Sequence, residues 1–120
     1  MARILLVDDA SFMKLVEKEI LEKNGHTIIA EAANGQEAIE RYDEHKPDVV
    51  IMDIKMPEVN GIEALLKIKE NDPEARVIMV SALGEPRFIK KAIELGAADF
   101  VVKPFKRERI VEAIEKVVNQ

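Results

Sequence analysis

Five short runs rich in valine and isoleucine, each followed by a segment of helical period, constrain this chain more than any other feature. The runs are Ile4–Val7, Thr27–Ala30, Val49–Met52, Val77–Val80 and Phe100–Val102. Continuous apolar runs of this length suit strands buried on both faces, as in a parallel sheet covered by helices. The periodic segments predict helices over 11–24, 35–45, 61–71, 86–95 and 106–118. In the first, Phe12, Leu15, Val16 and Ile20 fall at i, i+3, i+4 and i+8 and are expected to form its buried face. In the last, Ile110, Ile114, Val117 and Val118 do the same. Gly25 after Asn24 and Gly96 after Leu95 sit where a helix ends in a left-handed residue. Pro47, Pro73, Pro86 and Pro104 fall between the periodic segments.

Right-handed crossovers place the helices on both faces of one sheet. The expected fold is α/β, a (βα)5 doubly wound five-stranded parallel sheet in the order 2-1-3-4-5, the flavodoxin-like arrangement. A length of 120 residues suits one domain spanning 1–120. The chain has no cysteine, which excludes disulfides, thiolate metal sites and a thiol nucleophile. Its net charge of −5, from 23 acids and 18 bases, argues against nucleic acid as a partner. No apolar stretch reaches membrane-spanning length, and Asp8 and Asp9 follow the first run too soon for a signal peptide. A soluble cytoplasmic protein, monomeric and away from membranes, is expected.

Ligands of an open parallel sheet bind beyond the carboxyl ends of its strands. After the first run come Asp8 and Asp9, and after the third comes Asp53. Ser81 and Ala82 follow the fourth run, and Lys103 follows the fifth. In the order 2-1-3-4-5 the first and third strands are neighbours, so the three acids converge. Three carboxylates in a small volume call for positive charge. With no histidine or cysteine among them they favour magnesium over zinc. Lys103 lies close enough to pair with Asp53 or to hold a bound anion.

Each residue alone has an ordinary explanation. Asp8 and Asp9 could serve a helix dipole, with Ser11 near the N-cap, and Asp53 could form a turn before Met56 and Pro57. Together, polar groups at four strand ends suit one acidic metal and phosphoryl site. A dinucleotide site needs a glycine-rich turn where this chain has Asp8-Asp9-Ala10-Ser11, and the P-loop motif is absent. Two acids at that turn also repel a flavin phosphate. His26 and His45 lie away from the strand ends.

These motifs are VDD at 7–9, MDIKMPEVNG at 52–61, SA at 81–82 and KPF at 103–105. In that order the sequence resembles the receiver domains of two-component response regulators, in particular single-domain chemotaxis regulators of the CheY type. The resemblance implies that Asp53 is the phosphoacceptor. It implies that Asp9, Asp53 and the backbone carbonyl of Lys55 ligate Mg2+, with Asp8 acting through water. Ser81 takes the role of switch hydroxyl, flanked by the Ala82 amide. Lys103 bonds a phosphoryl oxygen, and the bond before Pro104 is cis. Phe100 occupies the aromatic switch position. Lys55 and Leu83 border the site mouth, where they could tune loss of the phosphoryl group by hydrolysis.

The implied function is a switch, not a conventional enzyme: a histidine kinase of the chemotaxis type phosphorylates it, and its affinity for a motor switch or adaptor protein changes. The expected partner surface carries Lys90, Lys91, Phe100, Lys106 and Arg107. Two other readings are a phosphorelay carrier that passes the group to a histidine phosphotransfer protein, and a magnesium phosphohydrolase.

Overall fold

The computed structural model describes residues 1–56, 60–82 and 85–119. Its strands are β1 (Arg3–Val7), β2 (Thr27–Ala32), β3 (Val49–Met52), β4 (Val77–Ser81) and β5 (Asp99–Val102). Its helices are α1 (Ser11–Lys23), α2 (Gly35–His45), α3 (Gly61–Asn71), α4 (Pro86–Glu94) and α5 (Arg107–Val118). All strand pairs are parallel, in the order β2-β1-β3-β4-β5. The expected fold class and topology are both present.

Alternation along each strand divides the core into two layers. Leu5, Val7, Val50, Met52, Val77 and Met79 join Ala38, Leu65 and Ala92 on the α2, α3 and α4 side. Ile4, Leu6, Val49, Ile51, Ile78 and Val80 join Ile20, Leu21, Ile110 and Ile114 on the α1 and α5 side. Every residue of β3 and β4 is buried, which is why those segments read as unbroken apolar runs. β2 lies at an edge and tolerates Glu31, so pairing carries it to Ala32, two residues past its apolar run.

The helix ends follow local chemistry. After α1, Gly25 N–H donates to Glu22 O and His26 N–H to Leu21 O, both at 3.1 Å. After α4, Gly96 N–H donates to Ile93 O and Ala97 N–H to Ala92 O. Both are Schellman closures, and both glycines have the positive φ that such closures need (+87° and +98°). Asn34 and Asn60 cap α2 and α3 by accepting from the amides of Glu37 and Glu63. Pro86 opens α4 at its first turn, where a missing N–H costs nothing. In α1 the N-cap is Ala10 and Ser11, expected near the cap, is the first helical residue.

The buried face of α1 differs from expectation. Phe12 and Leu15 are exposed, at 73% and 64%, whereas Glu17 is buried at 1%. Ile20 and Leu21 anchor α1 to the sheet side of the core. At about 100° per residue, positions 13, 16 and 17 share their face, while Phe12 lies about 180° from Leu21. The apolar spacing picked out by side-chain type alone is therefore rotated away from the face that packs.

Gly61 sets the height of α3 above the sheet. Its N–H donates to Ile54 O at 2.7 Å. A Cβ there would overlap the Asp53 carbonyl oxygen and lie 2.7 Å from Ile54 Cα. A Cβ on Gly25 would meet nothing within 4 Å. Gly61→Ala is expected to cost about 3 kcal/mol in urea unfolding, the upper range for overpacking. Gly25→Ala should cost only about 1 kcal/mol, from its left-handed backbone. Equal costs would show that the backbone around Asp53 yields freely.

Candidate metal and phosphoryl site

The site is pinned by backbone bonds that run one residue past the strands. Asp8 N–H donates to Ala32 O, Asp53 N–H to Val7 O and Lys103 N–H to Ser81 O, at 3.1, 3.1 and 2.9 Å. Val7 and Met52 are register partners, so Asp8 and Asp53 leave adjacent strands at the same level. Asp9 follows on the same turn. One carboxylate oxygen each from Asp8, Asp9 and Asp53 lies within 4.8 Å of the others.

Lys103 crosses from β5 to reach them. Its Nζ donates to Asp8 Oδ2 at 2.9 Å and to Asp53 Oδ2 at 3.3 Å. The pairing with Asp8 is the shorter, whereas the sequence suggested Asp53. Burial alone pulls the lysine pKa down, but the Asp8 hydrogen bond and the charges of Asp53, Asp8 and Glu17 outweigh it. The ammonium is held above its ordinary value. Asp8 also fixes the turn, since its Oδ1 accepts from Ala10 N–H at 2.8 Å. Asp53 Oδ1 accepts from Ile54 N–H at 2.7 Å.

The donor set fits a hard divalent cation. Ligand oxygens about 2.1 Å from an octahedral Mg2+ stand roughly 3–4 Å apart, so three oxygens within 4.8 Å need only a small closure. Three carboxylates against one ammonium leave nominal charge of the right sign. Asp9 is exposed, Asp53 partly exposed and Asp8 buried, so the group opens to solvent on one side.

A family model, "Response regulator receiver domain", matches residues 4–115. The chemotaxis protein CheY of Bacillus subtilis is 55% identical over 117 residues, with 98% of each chain covered. The CheY of Thermotoga maritima is 51% identical, with 96% of each covered. Among solved structures, a CheX–CheY–BeF3–Mg2+ complex from Borrelia burgdorferi superposes with a TM-score of 0.94 at 39% identity. That match covers 96% of this chain and 87% of the other. The chain is a response regulator receiver domain.

The other expected residues of this receiver differ in burial. Ser81 is fully buried at the end of β4, and Ala82 beside it is exposed. The Lys103–Pro104 peptide is cis, as the resemblance implied. Lys55 is exposed on the β3–α3 connection. Leu83 and Pro57 lie outside the described residues. Lys90, Lys91, Lys106 and Arg107 are exposed. Phe100 is not part of that exposed surface: at 8% exposure it packs into the α2, α3 and α4 layer. Alternation along β5 turns it inward with Met79, its partner on β4.

The residue that sequence reasoning missed is Glu17. Burial is the main force on its carboxyl, with Lys103 opposing and Asp8 and Asp53 reinforcing it, and its pKa rises to about 7 from 4.5. The available signal was its spacing, four residues beyond Met13 and four before Leu21. Between pH 4.5 and about 7 the folded chain keeps a proton that the unfolded chain has released, so stability falls as pH rises through that window. That gap, at roughly 1.4 kcal/mol per pH unit, sets a ceiling of about 3 kcal/mol. Without magnesium, the stability of Glu17→Gln relative to the parent should climb toward that ceiling between pH 4.5 and 7.5 in urea unfolding. A flat difference would mean that Glu17 titrates as an exposed acid.

Proposed function

We propose that this receiver is a phosphorylation-activated switch of chemotaxis signalling, acting in the cytoplasm as one domain over its whole length. A histidine kinase of the chemotaxis type would phosphorylate Asp53, and a motor switch or adaptor protein would read the result. The observation that carries this is the Asp53 carboxylate standing beside both an acidic cluster and the Lys103 ammonium. The relatedness to chemotaxis proteins supports the pathway. A relative solved with Mg2+ and BeF3 supports the chemistry.

Asp53 is the nucleophile. One of its carboxylate oxygens forms a bond to phosphorus as the bond from phosphorus to the donor's imidazole nitrogen breaks, leaving an acyl phosphate on Asp53. Asp9, Asp53 and the Lys55 carbonyl would hold Mg2+, with Asp8 joining through water. When bound, the cation offsets the negative charge of the incoming group. Lys103 turns from Asp53 to a phosphoryl oxygen as charge spreads in the in-line transition state. Attack by water on phosphorus returns Asp53 and releases inorganic phosphate. Lys55, exposed at the mouth, controls the approach of that water.

The output couples through Ser81 and Phe100. Ser81 and the Ala82 amide contact the phosphoryl group, and the movement of Ser81 makes room for Phe100. Both rest states are buried, so a shift in one is felt in the other as packing. Lys90, Lys91, Lys106 and Arg107 form the exposed basic part of the surface offered to a partner.

Incubation with acetyl phosphate and magnesium should give one phosphoryl adduct by intact mass. The adduct should vanish in Asp53→Asn and without the metal. An adduct that survives Asp53→Asn would move the acceptor elsewhere. Lys55→Asn should change the lifetime of the phosphorylated form several-fold, measured as phosphate release, and an unchanged lifetime removes Lys55 from the hydrolysis step.

A further inference from the structure

Glu17 sits mid-helix on α1, on the side that packs against β1, β2 and α5. Its residue exposure is 1%, and among the described residues its Oε1 is a buried side-chain oxygen with no hydrogen-bond partner. A buried acceptor without a donor costs free energy, so a site that keeps one calls for a reason. The charged groups acting on Glu17 are Lys103, Asp8 and Asp53, from the ends of β5, β1 and β3. Among the described residues, Lys103 is the cation bonded to the acidic cluster, and its charge acts on the residue that carries the orphaned oxygen.

The difficulty for this site lies with Lys103. Its ammonium rests on Asp8 Oδ2 and Asp53 Oδ2, both of them carboxylates that a divalent cation would engage. A divalent cation there repels the ammonium and competes with it for the same carboxylates, so the lysine shifts without leaving for solvent, since it is needed at the phosphoryl group. An ammonium on a flexible four-carbon stem has three hydrogens to place and can change acceptor by a rotamer change.

We propose that Glu17 is a positioning residue for Lys103, its unpaired oxygen receiving the ammonium when a divalent cation binds the cluster of Asp8, Asp9 and Asp53. The carboxylate then serves two ends: it removes a competitor from the metal's ligands, and it keeps the lysine inside the site. The unfilled acceptor and the buried acid on an otherwise apolar helix face are accounted for together. The inference rests on the magnesium reading of the acidic cluster.

The test is a double-mutant cycle on the full chain, with Mg2+ affinity read by titration calorimetry at pH 8, where Glu17 is mainly ionised. Glu17→Gln keeps the size of the side chain and Glu17→Leu fills the site with an apolar group, so a loss common to both is not a cavity effect. Each should weaken Mg2+ binding roughly tenfold, the lower end for groups that support metal ligands. In a Lys103→Met background the same substitutions should change affinity less than about twofold, because no ammonium remains to be displaced. In the parent with a 13C-labelled Glu17 carboxyl, Mg2+ should also shift the Glu17 resonance, and Lys103→Met should abolish that shift. Equal weakening in both backgrounds would mean that Glu17 acts through its charge alone and would overturn the proposal. No Mg2+ binding by the parent would instead bring down the magnesium reading, and this inference with it.

Discussion

The Lys103 ammonium held between Asp8 and Asp53 is the contact on which the arrangement of this receiver's site depends. It joins three strands that are distant in sequence, and it partly offsets charge that would otherwise drive the three acids apart. Such a contact is worth little on a surface, but here the side chains are only 14%, 2% and 13% exposed, so water screens it poorly. Burial raises both its strength and the cost of leaving any member unpaired. The ladder bonds at Asp8, Asp53 and Lys103 hold the backbones in place, so the side chains need adjust only through their own torsions.

A fixed centre follows from the same sheet. β3 and β4 are buried throughout, which fixes the level from which Asp53 and Ser81 project. Gly61 brings the start of α3 against the Asp53 carbonyl, closer than any side chain would permit. Phe100 lies inside the core beside β4, paired with Met79. Arg109 fastens the same region from α5, donating to both Asp99 carboxylate oxygens and to Phe100 O. The start of β5 is thereby tied to the helix that carries the exposed Arg107.

Much of this was legible in the residues. Buried parallel strands need unbroken apolar runs, and those runs located all five. Helix closures need a left-handed residue, and Gly25 and Gly96 supplied it. The acids at strand ends could be grouped because the 2-1-3-4-5 order makes the first and third strands neighbours. The failures on α1 share one cause. Phe12 and Leu15 were assigned to the core, and Glu17 was passed over, because periodicity sets the spacing of a face and not its rotation about the helix axis. Phe100 was grouped with the exposed basic residues although it opens a buried run, and on β5 the alternation of faces turns it inward with Met79.

The sequence by itself determined the element order, the parallel sheet and the identity of the acids and lysine at the strand ends. Each of these depends on local spacing or on topology rules that hold for any chain of this pattern. Only the tertiary structure decided that Lys103 leans first on Asp8, that Phe100 points inward, and that α1 turns Glu17 into the interior. Those outcomes depend on which helix face wins the available contact area and on distances between groups up to 95 positions apart. No local pattern encodes a rotation about an axis, because the competing faces differ only in what lies opposite them once the sheet has formed.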